Sequence, residues 1–128
     1  MLFQVVVTFA TLAQGSNSHI MAPRQVVVRS AAEWQTLWKA HSPQPAPVVD
    51  FSRSIMVGVF LGSRPTAGYQ VAITAVKSQG GKAIVEYVEH RPEVGAIVAQ
   101  VLTSPFHLVS IPKDRADVAD VDFRKIDP

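Results

Sequence analysis

From Ser54 onward the apolar residues arrive in short runs, SIMVGVFLG (54–62), YQVAITAVK (69–77) and KAIVEYVEH (82–90), each stopped by glycine, proline or serine. Runs of this length, dense in β-branched residues and bounded by turn formers, are strands rather than helices. The last of them sets Ile84, Glu86, Val88 and His90 against Ala83, Val85, Tyr87 and Glu89, a period of two that is visible but not clean. Further on, AIVAQVLT (96–103) and FHLVSIP (106–112) flank a Ser104-Pro105 break, and VADVDF closes with Val118, Val121 and Phe123 set against aspartates. SQGG between the second and third runs is a plain hairpin connection. If the three runs form a meander, loops 63–68 and 91–96 emerge at one end, with Arg64 and Arg91, each before a proline, as neighbours.

The N-terminal part is read in the same way. MLFQVVVTFATLA has the length of a signal-peptide apolar region but no preceding Lys or Arg, and Gln4 and Thr8 break it as strand polar positions would. It is read as a strand ended by QGSNS. GSNSHIM looks somewhat like a cloning scar, and residues 1–21 are treated as native. RQVVVRS (24–30) is another strand. A helix follows it, because Ser30 and Glu33 have capping-box spacing and Trp34, Leu37, Trp38 and His41 fall at i, i+3, i+4 and i+7. Both tryptophans read as anchors docking that helix on a sheet. HSPQPAPVV (41–49), with three prolines, is an extended spacer outside any ladder. Many short strands and one amphipathic helix imply a mainly β, β-rich α+β fold, an antiparallel sandwich or partly open barrel with the helix packed on it.

Composition limits what such a fold can do. At 128 residues, 48 % hydrophobic and 17 % charged, the chain suits one domain, taken as residues 1–128. The net charge is +2 and the basic residues are scattered, which argues against a nucleic-acid surface. No stretch reaches the roughly 18 apolar residues of a membrane span. With no cysteine, disulfides, thiolate zinc sites and cysteine nucleophiles are excluded.

Catalytic patterns are missing too. There is no Gly-x-Ser-x-Gly elbow, and no spacing selects His90 or His107 to serve Ser63. The four histidines lie on separate segments. Asp114, Asp117, Asp120 and Asp122 lack the central glycine and terminal glutamate of a calcium loop, so a solvated strand face is the better reading. SQGGK leads into a strand, not a helix, which removes a phosphate cradle. The expectation is no catalytic residue, no metal, no cofactor and no enzyme.

The loop FLGSRPTAGYQV (60–71) stands out instead. Arg64 is pushed towards extended backbone by Pro65, Pro65 suits the first corner of a turn, and Gly68 can take the positive φ that returns the chain to Tyr69. A stiff loop carrying a guanidinium, a hydroxyl and a phenol loses little entropy on docking to a partner. The other reading is that Arg64 pairs with a nearby carboxylate, Glu89 or Glu93, and the loop only closes a hairpin.

GVFLGSRPTAGYQVAI, followed by VEYVEHRPEVGAIVAQVLTSPFHLVSIP, resembles the PrcB C-terminal domain, named for a bacterial protease-complex subunit. The resemblance covers about residues 57–112 and is most specific in Gly-x-Arg-Pro-Thr-x-Gly-Tyr and Thr-Ser-Pro-Phe. GSNSHI, EWQTLWKAH and VDFSRSIMVGVF resemble the extension found before that domain, here residues 1–56. What this implies is a non-catalytic bacterial accessory module helping a partner protease assemble or remain stable. Its binding loop would comprise Arg64, Pro65, Thr66, Gly68 and Tyr69, joined by Arg91, Pro92, Pro105 and Phe106. More distantly, Pro65, Thr66, Gly68 and Tyr69 are similar to the Asn-Pro-Thr-Thr-Gly-Tyr loop of chagasin-type protease inhibitors. Arg64 and Ala67 depart from that pattern, and Arg91-Pro92 is followed by Glu93 where those inhibitors have tryptophan. The expected partner is a protein, with homo-oligomers and the compartment, cytoplasm or cell envelope, left open.

Overall fold

The computed structural model describes residues 4–114 and 119–128. Among them are eight strands and one helix: β1 (Gln4–Val7), β2 (Ala10–Gly15), β3 (Arg24–Val28), α1 (Ala31–His41), β4 (Ser54–Phe60), β5 (Gln70–Gln79), β6 (Lys82–His90), β7 (Phe106–Pro112) and β8 (Val121–Lys125). They form two four-stranded sheets, ordered β1-β5-β6-β8 and β2-β7-β4-β3, neither closed into a barrel.

β4 shows why the fold has three layers. Its run is apolar at successive positions, not alternate ones, because both of its faces are covered. Ile55, Val57 and Val59 point between the sheets and meet Val71, Ile73 and Val76 of β5, Val85 of β6, and Val109 and Ile111 of β7. Met56 and Phe60 point outward and meet Trp34, Leu37 and Trp38 of α1, together with Val26, Val28, Phe106 and Leu108. The helix begins as its sequence dictates: the Glu33 N–H donates to Ser30 Oγ at 3.2 Å. The Glu33 carboxylate reaches the Arg29 N–H (3.3 Å) and the Ser30 hydroxyl (3.1 Å) rather than the cap's own amide. The proline segment is more than a spacer, since the carbonyls of Pro47 and Gln44 accept the two indole N–H groups at 2.9 and 2.6 Å.

Four expectations need correction. The N-terminal run is two strands in different sheets, as β1 pairs with β5 and β2 with β7. The meander is interrupted, because β4 and β5 belong to different sheets and the Arg64 loop carries the chain across. AIVAQVLT has no strand. β8 lies parallel to β6 in an otherwise antiparallel arrangement. Asp120 and Asp122 do form a solvated face, close to Lys82 Nζ at 3.9 and 3.3 Å, while Val121 and Phe123 pack inward. Met1 to Phe3, Asp117 and Val118 lie outside the described residues.

Polar side chains stitch the layers. His107 on β7 accepts the Ile73 N–H at Nδ1 (2.8 Å), beside the β5 bulge, and its Nε2 meets Thr11 Oγ1 at 2.9 Å. With Nδ1 accepting, the proton sits on Nε2 and the ring is neutral. His41 Nδ1 lies 2.7 Å from Ser18 Oγ, which also accepts the Ile20 N–H. Ser104 closes the same junction by donating to the Ile20 carbonyl at 2.6 Å. The segment that reads like a cloning scar is thus built into the packing.

Candidate functional site

Glu89 is the residue around which the site is organised. It follows Ala83, Val85 and Tyr87 on the inward face of β6, and its side chain is only 3 % exposed. A carboxylate there needs a partner, since a buried unpaired charge is very costly. Arg64 supplies it: Nε–H donates to Oε2 at 2.8 Å and Nη2 to Oε1 at 3.1 Å. Nη1 donates to the carbonyls of Leu61 and Ser63, both at 3.1 Å. Lys125 Nζ adds a contact to Oε1 at 3.2 Å. The Arg64 hydrogen bonds hold the Glu89 carboxyl below the usual range although burial pushes it up, and Lys125 adds to the lowering. The same bonds raise Arg64.

The two readings of the loop are therefore settled for one side chain: the guanidinium turns inward to Glu89. Its backbone reaches the other way. The Arg64 N–H donates to the Thr103 carbonyl at 2.8 Å and the Thr103 N–H to the Arg64 carbonyl at 3.0 Å. The Ala67 N–H donates to the Ala99 carbonyl at 3.0 Å, and the Thr103 hydroxyl to the Thr66 carbonyl at 2.9 Å. Gly68, at φ +95°, lies so close to Pro92 that a Cβ would fall 2.8 Å from its Cγ. Loops 63–69 and 91–103 thus share one rim, as the parity of the strands implies even without the meander.

The nine expected binding residues separate by position. Pro65, Gly68 and Arg91 are exposed, while Thr66, Tyr69 and Pro92 are half-buried. The Thr66 hydroxyl donates to the Ala67 carbonyl at 2.8 Å, and the Tyr69 hydroxyl has no hydrogen-bond partner among the described residues. Pro105 and Phe106 offer no surface: Pro105 is fully buried, and Phe106 stacks on Phe60 (6.3 Å between centroids) and meets His41 edge-on (4.3 Å). Phe106 belongs to the core under α1 because β7 begins there, and Pro105 immediately precedes that strand, its carbonyl accepting the Leu61 N–H at 3.0 Å.

What sequence reasoning missed lies on the second of these loops, residues 91–103. Val94, Ile97, Val101 and Leu102 are exposed, Val94 and Ile97 fully so. Scattered apolar residues on a surface are ordinary, but four within nine positions on one loop are a local concentration. Their run has the composition of a strand and carries no signal that it would find no neighbour. Among the described residues no cluster of His, Asp or Glu could hold a metal, and no helix is long and apolar enough to cross a membrane.

The matched family now has a place in the architecture. Residues 55–112 match the PrcB C-terminal family model. The match begins in β4, ends in β7 and includes the whole rim. No curated protein and no solved structure matches the chain.

Proposed function

We propose that this chain is a non-catalytic binding module, an accessory part of a protease complex, whose recognition surface is the rim formed by loops 63–69 and 91–103. The observation that carries the reading is the exposure of Val94, Ile97, Val101 and Leu102 on a loop whose backbone is hydrogen-bonded to Arg64 and Ala67. Bare apolar side chains on a fixed frame are what a partner protein buries with little ordering cost. Pro65, Tyr69 and Arg91 lie on the same two loops and supply a rigid ring, an aromatic and a cation with no ion pair among the described residues. Arg64 acts as a positioning residue behind them. The PrcB resemblance supports a protease as the class of partner, one that the module helps to assemble or stabilise.

The test is affinity capture from the source cells with wild type beside Val94→Asp/Ile97→Asp. Retention of a protease-sized partner by wild type and its loss in the double variant is the expected result. Equal retention by both would remove the rim from the account. The chagasin-like alternative rests on Pro65 standing exposed on the same rim, and an assay of papain with the pure protein separates it, since an accessory module leaves papain unaffected.

A further inference from the structure

A second feature lies away from the rim. β3 is an edge strand, paired on one side only, with β4, over five residues without a bulge. The β2 edge carries a bulge between Thr11 and Ala13, and β8 is guarded by Asp122, Arg124 and Lys125. These are ordinary devices that discourage strand addition, and β3 has no bulge and a single charged residue, Arg24, at its start. Its free edge faces instead a groove of about 580 Å³, with the whole of β3 as one wall and Ala32, Glu33, Thr36 and Leu37 of α1 as the other. Every second residue of an edge strand points its N–H and C=O away from the sheet. No backbone hydrogen bond outside the ladder uses the β3 amides or carbonyls among the described residues. A strand wall beside a helix wall is a geometry that accepts an extended peptide as one more strand.

Charge selects the direction. Arg24, at the start of β3, has no ion pair or side-chain hydrogen bond among the described residues, and it also borders the adjoining hollow in which Arg64 and Lys125 are paired with Glu89. The opposite end of the groove holds the Glu33 carboxylate. An antiparallel guest brings its C-terminus to Arg24, whereas a parallel one would bring it to Glu33. We infer that the β3–α1 groove binds the C-terminal segment of another protein as an added antiparallel strand, its free carboxylate held by Arg24.

The probe is a display library of peptides about eight residues long with free C-termini, enough to pair the whole of β3. A selected peptide is resynthesised with a free carboxylate and as the C-terminal amide, and is titrated against the full chain by backbone amide NMR. Binding should move the amides of residues 24–28. Amidation and Arg24→Glu should each weaken it at least about tenfold, the worth of one charge-assisted hydrogen bond. Ala32→Trp, at an exposed helix position, should abolish binding while circular dichroism stays unchanged. The inference is overturned if no peptide is selected, if the amide binds as tightly as the acid, or if the shifts fall on residues 91–103. It is also overturned if the β3 amides shift with protein concentration alone and sedimentation gives a dimer, because the groove's occupant is then a second copy. The Val94→Asp/Ile97→Asp variant should bind the peptide normally, so the rim and the groove can fail independently.

Discussion

Arg64 looks like a contact residue in the sequence and is a strut in the structure. Its role rests on Glu89 facing inward, and the pair makes the strongest residue-scale prediction. Removing one partner of a buried ion pair leaves the other charge uncompensated, so Arg64→Ala should cost about 3–5 kcal/mol in a urea melt. Lys125 remains near Glu89, which favours the lower part of that range. A double-mutant cycle with Glu89→Gln should show strong coupling, and additive losses would mean that the two side chains act separately. The sequence allowed this pairing, since Glu89 was one of two candidate carboxylates, but could not choose it: the imperfect alternation of β6 does not say which face is buried. His107 was less legible still. Nothing in FHLVSIP announces that its ring would cap an amide of the opposite sheet.

Among the elements, those with a strong local signal were legible: the capped helix with its apolar stripe, and β3 to β7 with their turn-bounded runs. The sheet to which each strand belongs was not. That choice is made by packing between residues distant in the chain, and SIMVGVF reads the same whether its next neighbour is β5 or β7. AIVAQVLT has a strand-like composition and no strand, because composition cannot report the absence of a pairing partner. β4 also carries a specific prediction. Gly58 lies between Val26 and Leu108 in the sheet, and a Cβ there would sit 2.4 Å from Leu108 Cδ2 and 3.2 Å from Val26 Cγ2. Gly58→Ala should therefore destabilise the layer under α1 by about 1–3 kcal/mol through overpacking. A companion Leu108→Ala should relieve that clash, so the double variant should lose less than the sum of the two. Full additivity would contradict the packing described here.

The whole molecule joins its layers through neutral histidines, and this gives its stability a pH dependence. Burial pushes both His41 and His107 below the ordinary 6.5, with His19 adding to the effect on His41. The unfolded chain then binds more protons than the folded one below pH 6.5, so stability is full above that value and falls as pH drops towards the depressed folded values. Each histidine contributes a slope of up to about 1.4 kcal/mol per pH unit in that window. Glu89 adds a second loss at lower pH, since its lowered carboxyl stabilises the fold only while ionised. Thermal melts from pH 7.5 to 5 should show Tm falling on acidification, with a shallower fall in His107→Gln. A flat profile would mean that folding leaves the two histidines unshifted, and a Tm that rises on acidification would place charged histidines in the fold. The central claim, that an internal ion pair fixes the rim before any partner arrives, is tested most directly by amide hydrogen exchange on the free protein. Slow exchange is expected at Arg64, Ala67 and Thr103, and faster exchange at all three in Arg64→Ala relative to the core amides of β4. Exchange at those amides as fast as in an open loop in the wild type, or unchanged protection in the variant, would contradict it.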